Sequence, residues 1–174
     1  MKDVLIRQTQ TSDADEFIEL RNYVWSLSYA EILPPEIHEM KKQKASADIE
    51  KLKRDLTDDN FISYVAVADS KIVASFNGFI KASAKYYADL GYAGFEILYI
   101  HPEFQGQGIG RVMLQKFCDA IKARGVTKFI INCLKENHDA RRVYEKWGGK
   151  LDSREEPHPS HGDKYMCVFY LFEI

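Results

Sequence analysis

The chain has 174 residues, 45% hydrophobic and 29% charged, with a formal net charge of −2; this suits one domain of ~100–200 residues and argues against a nucleic-acid binder, which carries a basic excess. No apolar stretch approaches the ~20 residues needed to span a bilayer, and Cys118, Cys133 and Cys167 are scattered without a CxxC pair, which speaks against a disulfide framework and a zinc site. Met1-Lys2-Asp3-Val4 leads straight into a strand-like run with no secretory-leader pattern, so a cytoplasmic protein with reduced thiols and neither membrane nor nucleic-acid partner is expected.

Val4–Gln8 alternates apolar and polar residues, as a half-buried first strand does. Thr11-Ser12-Asp13 offers N-cap side chains, with Asp15 close to the positive helix end. Phe17, Leu20, Val24 and Leu27 then recur at helical spacing, which predicts a helix to about Ser28. Leu33-Pro34-Pro35 breaks the pattern. A second helix, rich in Lys and Glu, is predicted over Glu36–Leu56, with the Lys41–Lys53 charge run as a solvated face. Phe61–Ala68 and Lys71–Ile80 read as strands joined by a turn at Asp69-Ser70. Lys85–Gly91, holding Tyr86, Tyr87 and Asp89, reads as a loop or hairpin tip, and Phe95–Ile100 as the fourth strand.

Gly106–Arg124 carries a strong helical signal. Ile109, Met113, Phe117 and Ile121 recur every fourth residue, Val112 and Leu114 lie beside them, and Gly125 marks the end. Lys128–Cys133 reads as a buried strand and Asn137–Trp147 as a short helix stopping at Gly148-Gly149. Lys150–Arg154 and Tyr165–Phe172 form a last pair of strands around a loop with His158 and His161. The order predicts a mixed α/β fold, a sheet covered by helices rather than a pure βαβ repeat, in one domain over residues 1–174.

The informative segment is Leu98-Tyr99-Ile100-His101-Pro102-Glu103-Phe104-Gln105-Gly106-Gln107-Gly108-Ile109-Gly110-Arg111. A hydrophobic strand ends, a short loop turns, and a glycine-rich run opens a long helix. Such a junction points unpaired backbone N–H groups at one spot, where the helix dipole also favours negative charge. It is a phosphate-binding arrangement. The spacing is G-x-G-x-G, with Arg111 following, so the dinucleotide pattern G-x-G-x-x-G is not met. No G-x-x-x-x-G-K-[ST] run exists either.

Gln105-Gly106-Gln107-Gly108-Ile109-Gly110 closely resembles the acetyl-CoA signature of the GCN5-related N-acetyltransferases (GNAT), [Arg/Gln]-x-x-Gly-x-[Gly/Ala]. The preceding Tyr99–Phe104 is similar to the family's strand end. Asn137-His138-Asp139-Ala140-Arg141-Arg142-Val143-Tyr144-Glu145-Lys146-Trp147-Gly148 resembles its second block, in which Asn, Ala and Tyr hold fixed places before a Gly. Tyr29–Pro34 is similar to a segment in a bacterial branch that includes polyamine acetyltransferases. Two departures stand out. Many members carry a basic residue where this chain has Gln107, and the family often reads Gly-Phe where it has Gly148-Gly149.

The resemblance implies a central, mostly antiparallel twisted sheet of about seven strands flanked by about four helices. It implies an N-acetyltransferase that moves an acetyl group from acetyl-CoA to a primary amine by direct attack in a ternary complex, with no metal. Gln105, Gly106, Gln107, Gly108, Ile109, Gly110 and Arg111 would hold the pyrophosphate. The strand at Leu98 and Ile100 would pair its backbone with the pantetheine arm, and an N–H near Ile100 would polarise the thioester carbonyl. Tyr144 is the candidate acid for the CoA sulfur, since a phenol ionises near pH ~10; it also lies on the helical stripe Ala140, Val143, Tyr144, Trp147, as a core aromatic would. Glu96 is the candidate base, acting through water, or else an ordinary strand carboxylate. Asn137 is similar to the family's pantetheine-contacting Asn and equally suits a helix N-cap. His101 reads as a solvent-facing turn residue, and Tyr86, Tyr87 and Asp89 as acceptor-pocket residues or simple packing. The acceptor would be a small polyamine-like or amino-acid-like amine, or a peptide N-terminus or lysine, and a homodimer is compatible with the family's habits. The competing readings are a non-catalytic acyl-CoA sensor and an interaction module whose glycine loop is only structural.

Overall fold

The computed structural model of the protein describes residues 3–158 and 162–174, so the predicted loop residue His161 lies outside it. Seven strands form one sheet in the order β1-β2-β3-β4-β5-β7-β6. They are β1 (Leu5–Gln8), β2 (Phe61–Ala68), β3 (Lys71–Phe79), β4 (Ala93–Ile100), β5 (Lys128–Leu134), β6 (Lys150–His158) and β7 (Gly162–Glu173). The helices are α1 (Ala14–Ser28), α2 (Pro35–Gln43), α3 (Ala45–Asp55), α4 (Lys85–Asp89), α5 (Ile109–Lys122) and α6 (His138–Lys146). β1 runs antiparallel to β2, and β7 lies antiparallel to both β5 and β6, while β4 and β5 are parallel. This is the mixed sheet with flanking helices that the sequence predicted. The chain divides into two compact units: one runs to Gly78 and includes Ile97–Asp119, the other comprises Phe79–Glu96 and Ala120–Ile174.

In the first unit the predicted stripe of α1 buries Phe17, Leu20 and Val24, with Ala14 and Ile18, against Leu52 of α3, Val65 of β2 and Ile72 of β3. Leu27, expected on that stripe, is half exposed. The single helix expected over 36–56 bends at Lys44 (φ −84°, ψ −2°) into α2 and α3. Only the second piece carries an apolar stripe that reaches the core, through Ala45, Ile49, Leu52 and Leu56. α2 buries no residue. The Asp69-Ser70 turn takes positive φ at both residues (49° and 64°), as a type I′ hairpin turn requires. On α5, Ile109, Met113 and Phe117 are buried and Phe117 meets Phe76 edge-on at 5.5 Å; Val112 is exposed.

The second unit has an aromatic core. Phe129 and Phe172 stack at 4.6 Å and 5°, and Phe95 packs on Phe129 and edge-on against Trp147, which caps the end of α6. Tyr144 meets Tyr170 edge-on at 5.7 Å. Residues 85–89, expected as a loop, form the short helix α4 because Tyr87 is an anchor. It is fully buried, packs on Phe169 at 4.7 Å and donates its hydroxyl proton to Asp152 at 2.6 Å. Burial, then that hydrogen bond, raise the phenol's pKa well above its ordinary value.

Candidate functional site

The glycine loop begins where β4 ends. His101 donates its backbone N–H to Val73 O at 2.8 Å, and a 3₁₀ turn over Pro102–Phe104 follows. The helix predicted from Gly106 starts three residues later, at Ile109. Gly106 and Gly108 hold φ of +72° and +85°, a region L side chains disfavour, so the run cannot wind into the helix. A Cβ at either glycine would meet nothing within 4 Å; conformation, not crowding, demands glycine there. The loop's own amides are left over. Arg111 and Val112 donate to Gly108 O, but the N–H groups of Gly106, Gln107, Gly108, Ile109 and Gly110 meet no acceptor among the described residues. The first turn of α5 contains no acid. Arg111 is exposed and has no ion-pair partner among the described residues.

The two glutamines brace this loop. Gln105 Nε2 donates to Ile100 O at 3.0 Å, and Gln107 Nε2 to Glu103 O at 2.9 Å. Leu98 and Ile100 lie beyond the last β4–β5 pair, Phe95↔Ile131. Ile97 and Tyr99 pack on the α1–α3 core, so strand alternation turns Leu98 and Ile100 to the other face.

In the second unit, Glu96 is half-buried and its Oε1 accepts from Ser83 Oγ at 2.7 Å and from the Ser83 N–H at 3.4 Å. Asn137 caps α6, its Oδ1 accepting from the Ala140 N–H at 3.1 Å. Tyr144 is half-buried between Trp147 and Tyr170. The Tyr170 hydroxyl donates to Glu145 Oε1 at 2.8 Å and accepts from Arg141 Nε at 3.1 Å. Those contacts fasten the helix that bears Tyr144 to β7, and Arg141 Nη1 donates to Lys135 O, just after β5, at 3.0 Å.

A family model described as "Acetyltransferase (GNAT) family" matches residues 21–149. The chain belongs to the GNAT acetyltransferase family. Solved structures share its fold over nearly its full length. A PaiA N-acetyltransferase from Thermoplasma acidophilum in complex with coenzyme A has a TM-score of 0.77 and 20% identity, covering 98% of this chain and 99% of the other. A GNAT acetyltransferase from Staphylococcus aureus Mu50 gives 0.72 at 14% identity, with 98% and 99% covered. The ribosomal-protein-S18-alanine N-acetyltransferase from Escherichia coli gives 0.64 at 14%, with 99% and 94% covered. No curated relative matches by sequence.

The GNAT departures have local explanations. Gly148 ends α6 with φ +96° and open space around it, whereas a Cβ at Gly149 would sit 2.6 Å from Phe172 Cζ and 3.0 Å from Tyr144 O. Phe172 thus occupies the space that a Phe at position 149 would need. Gln107 folds back on the loop, which leaves Arg111 as its nearby cation in sequence. Other readings change. His101 is no solvent-facing residue: it is half-buried, stacks on Tyr23 at 5.5 Å and meets Phe104 edge-on. Of the two readings left open for residues 86–89, the contacts favour packing: Tyr87 belongs to the core, Asp89 pairs with Lys85, and Tyr86 lies under Arg154 at 3.8 Å. Lys41 leaves the solvated charge run to join Arg21 on Asp48, and burial followed by Arg21 lowers its pKa. No group of three or more metal-ligating side chains occurs among the described residues, and none of the described helices is long and apolar enough to cross a membrane. Ser83 and Gly94 escaped the sequence reading; the only available signal was a glycine two residues before Glu96, on the same strand face.

Proposed function

We propose that this GNAT chain transfers the acetyl group of acetyl-CoA to a primary amine. The observation that carries the reading is the run of five amides, Gly106–Gly110, without acceptors among the described residues, next to Arg111, which has no ion-pair partner among them. N–H groups left without acceptors among the described residues and a helix start free of acid suit a diphosphate. A fold relative that holds coenzyme A supports the same reading. Leu98 and Ile100 would pair their backbone with the pantetheine arm, and the amide of Asn137, whose oxygen is already used as a cap, would remain to contact it.

Acetyl-CoA supplies a thioester, the activated acetyl group. Glu96 takes a proton from the acceptor ammonium, directly or through water, so that the neutral amine can form the new C–N bond. Tyr144 gives its hydroxyl proton to the sulfur as the C–S bond breaks, and the second proton lost by the amide nitrogen restores the phenol. The acceptor is a small amine of the polyamine or amino-acid type, or a peptide N-terminus.

A thiol-release assay with acetyl-CoA and a panel of spermidine, lysine and an alanyl peptide tests this. At least one amine is expected to release thiol, and Tyr144→Phe to lower kcat by about 100-fold. An unchanged kcat, where chemistry limits turnover, removes Tyr144 as the acid. Coenzyme binding without any product would favour the sensor reading, and no binding at all the interaction module.

A further inference from the structure

Gly94 and Glu96 are two residues apart on β4 and face the same side of the sheet. A Cβ at Gly94 would lie 2.5 Å from Glu96 Oε1 and 3.1 Å from Ala82 Cα. The missing side chain leaves a notch, and the Glu96 carboxylate folds back into it. There Ser83 meets it with hydroxyl and backbone N–H, both on Oε1. Ser83 is itself held. Its neighbour Ala82 donates its N–H to Tyr92 O at 2.9 Å, Tyr92 donates its N–H to Tyr87 O at 3.0 Å, and Tyr87 is anchored on Asp152. Glu96 Oε2 has no hydrogen-bond partner among the described residues.

We propose that Ser83 and Gly94 are positioning residues that fasten Oε1 of Glu96 and leave Oε2 as its one proton-accepting atom. The proposal rests on the reading of Glu96 as the base. Proton abstraction depends first on geometry, and a glutamate side chain left loose would spread over many rotamers. The notch removes that freedom, because no residue larger than glycine at position 94 leaves the carboxylate where it is.

The test uses the full chain with acetyl-CoA and whichever of spermidine, lysine or an alanyl peptide is turned over fastest. Ser83→Ala is expected to lower kcat about tenfold, the scale of one partly exposed hydrogen bond to a charged group, with KM for acetyl-CoA unchanged. Ser83→Thr, which keeps the hydroxyl, should recover most of the loss. Gly94→Ala should lower kcat similarly, and the Ser83→Ala result stands alone if that variant does not fold. In a Glu96→Gln background, Ser83→Ala should cost nothing more. Without substrate, the Ser83 amide NMR signal should move as the pH is lowered, and that movement should vanish in Glu96→Gln.

Full kcat in Ser83→Ala, beside a collapse in Glu96→Gln, overturns the positioning role and leaves the base reading intact. Wild-type kcat in Glu96→Gln overturns the base reading and the positioning role together, as does a chain that turns over none of the three amines. Additive losses in the double variant, or a Ser83 amide indifferent to Glu96, also overturn the proposal.

Discussion

Helices α5 and α6 begin in opposite ways. At α6 the protein completes its own helix end: Asn137 accepts the Ala140 N–H, and Asp139 adds negative charge to the first turn. The 3₁₀ turn before α1 is closed in the same manner, with Asp13 accepting from the Gln10 N–H at 2.7 Å and pairing with Arg7 through both oxygens. At α5 no described side chain closes the end. Five amides have no acceptor among the described residues, the first turn has no acid, and Gln105–Gly108 are exposed. The glutamines of the loop bind carbonyls, not these amides. Helix ends carry orphan N–H groups in every protein; what separates a structural end from a binding end is whether a side chain has already taken them.

The sharpest way to break this comparison is to give the start of α5 the acid it lacks. Gly108→Asp would place a carboxylate among the free amides and impose a backbone strained at φ +85°. Acetyl-CoA affinity is expected to fall about 100-fold or more by calorimetry. Next is the closed end at Asp13. Asp13→Asn should lower stability by about 2 kcal/mol in urea, as loss of a charged hydrogen-bond acceptor does, while leaving acetyl-CoA affinity unchanged. Its pH dependence has a definite sign. The hydrogen bond from Arg7, ahead of the opposing burial, lowers the Asp13 pKa below its ordinary 3.8. The associated stability is therefore present above about pH 4 and lost as pH falls through the lower folded value. Asp13→Asn should lose less stability than the parent chain between pH 5 and pH 2.

A smaller effect separates the two roles of Asn137. Asn137→Ala removes the cap and should cost about 1 kcal/mol of stability. Asn137→Ser keeps a capping oxygen and removes the amide without adding charge, so a drop in acetyl-CoA affinity without a stability change would identify a coenzyme contact. Smallest is Arg111→Ala. With its guanidinium exposed, acetyl-CoA binding should weaken about fivefold and become less sensitive to salt. No change at all would leave the amides as the sole diphosphate contacts.

Much of this was legible in residue order because it depends on local patterns. The stripe Ile109-Met113-Phe117 and the Asp69-Ser70 turn are features of neighbours in sequence, and the chain folds them as the patterns indicate. The breaks came where distant partners decide. Tyr87 looked like loop because its anchors, Phe169 and Asp152, are more than 60 residues away. Lys41 looked solvated because Asp48 and Arg21 collect it only once three helices assemble. The bend at Lys44 follows from which half of the charged stretch can reach the α1 core.

The sequence by itself determined the GNAT family, the order of the seven strands, and the place of the glycine loop. A glycine's allowed φ and a helix's periodicity are properties of a few adjacent residues. Only the tertiary structure decided what each candidate side chain touches: that Gln105 and Gln107 brace the loop, that His101 stacks on Tyr23, and that Ser83 and the notch at Gly94 hold Glu96. Those contacts join residues from separate elements, and a side chain's partner is fixed by packing that no short stretch of sequence specifies.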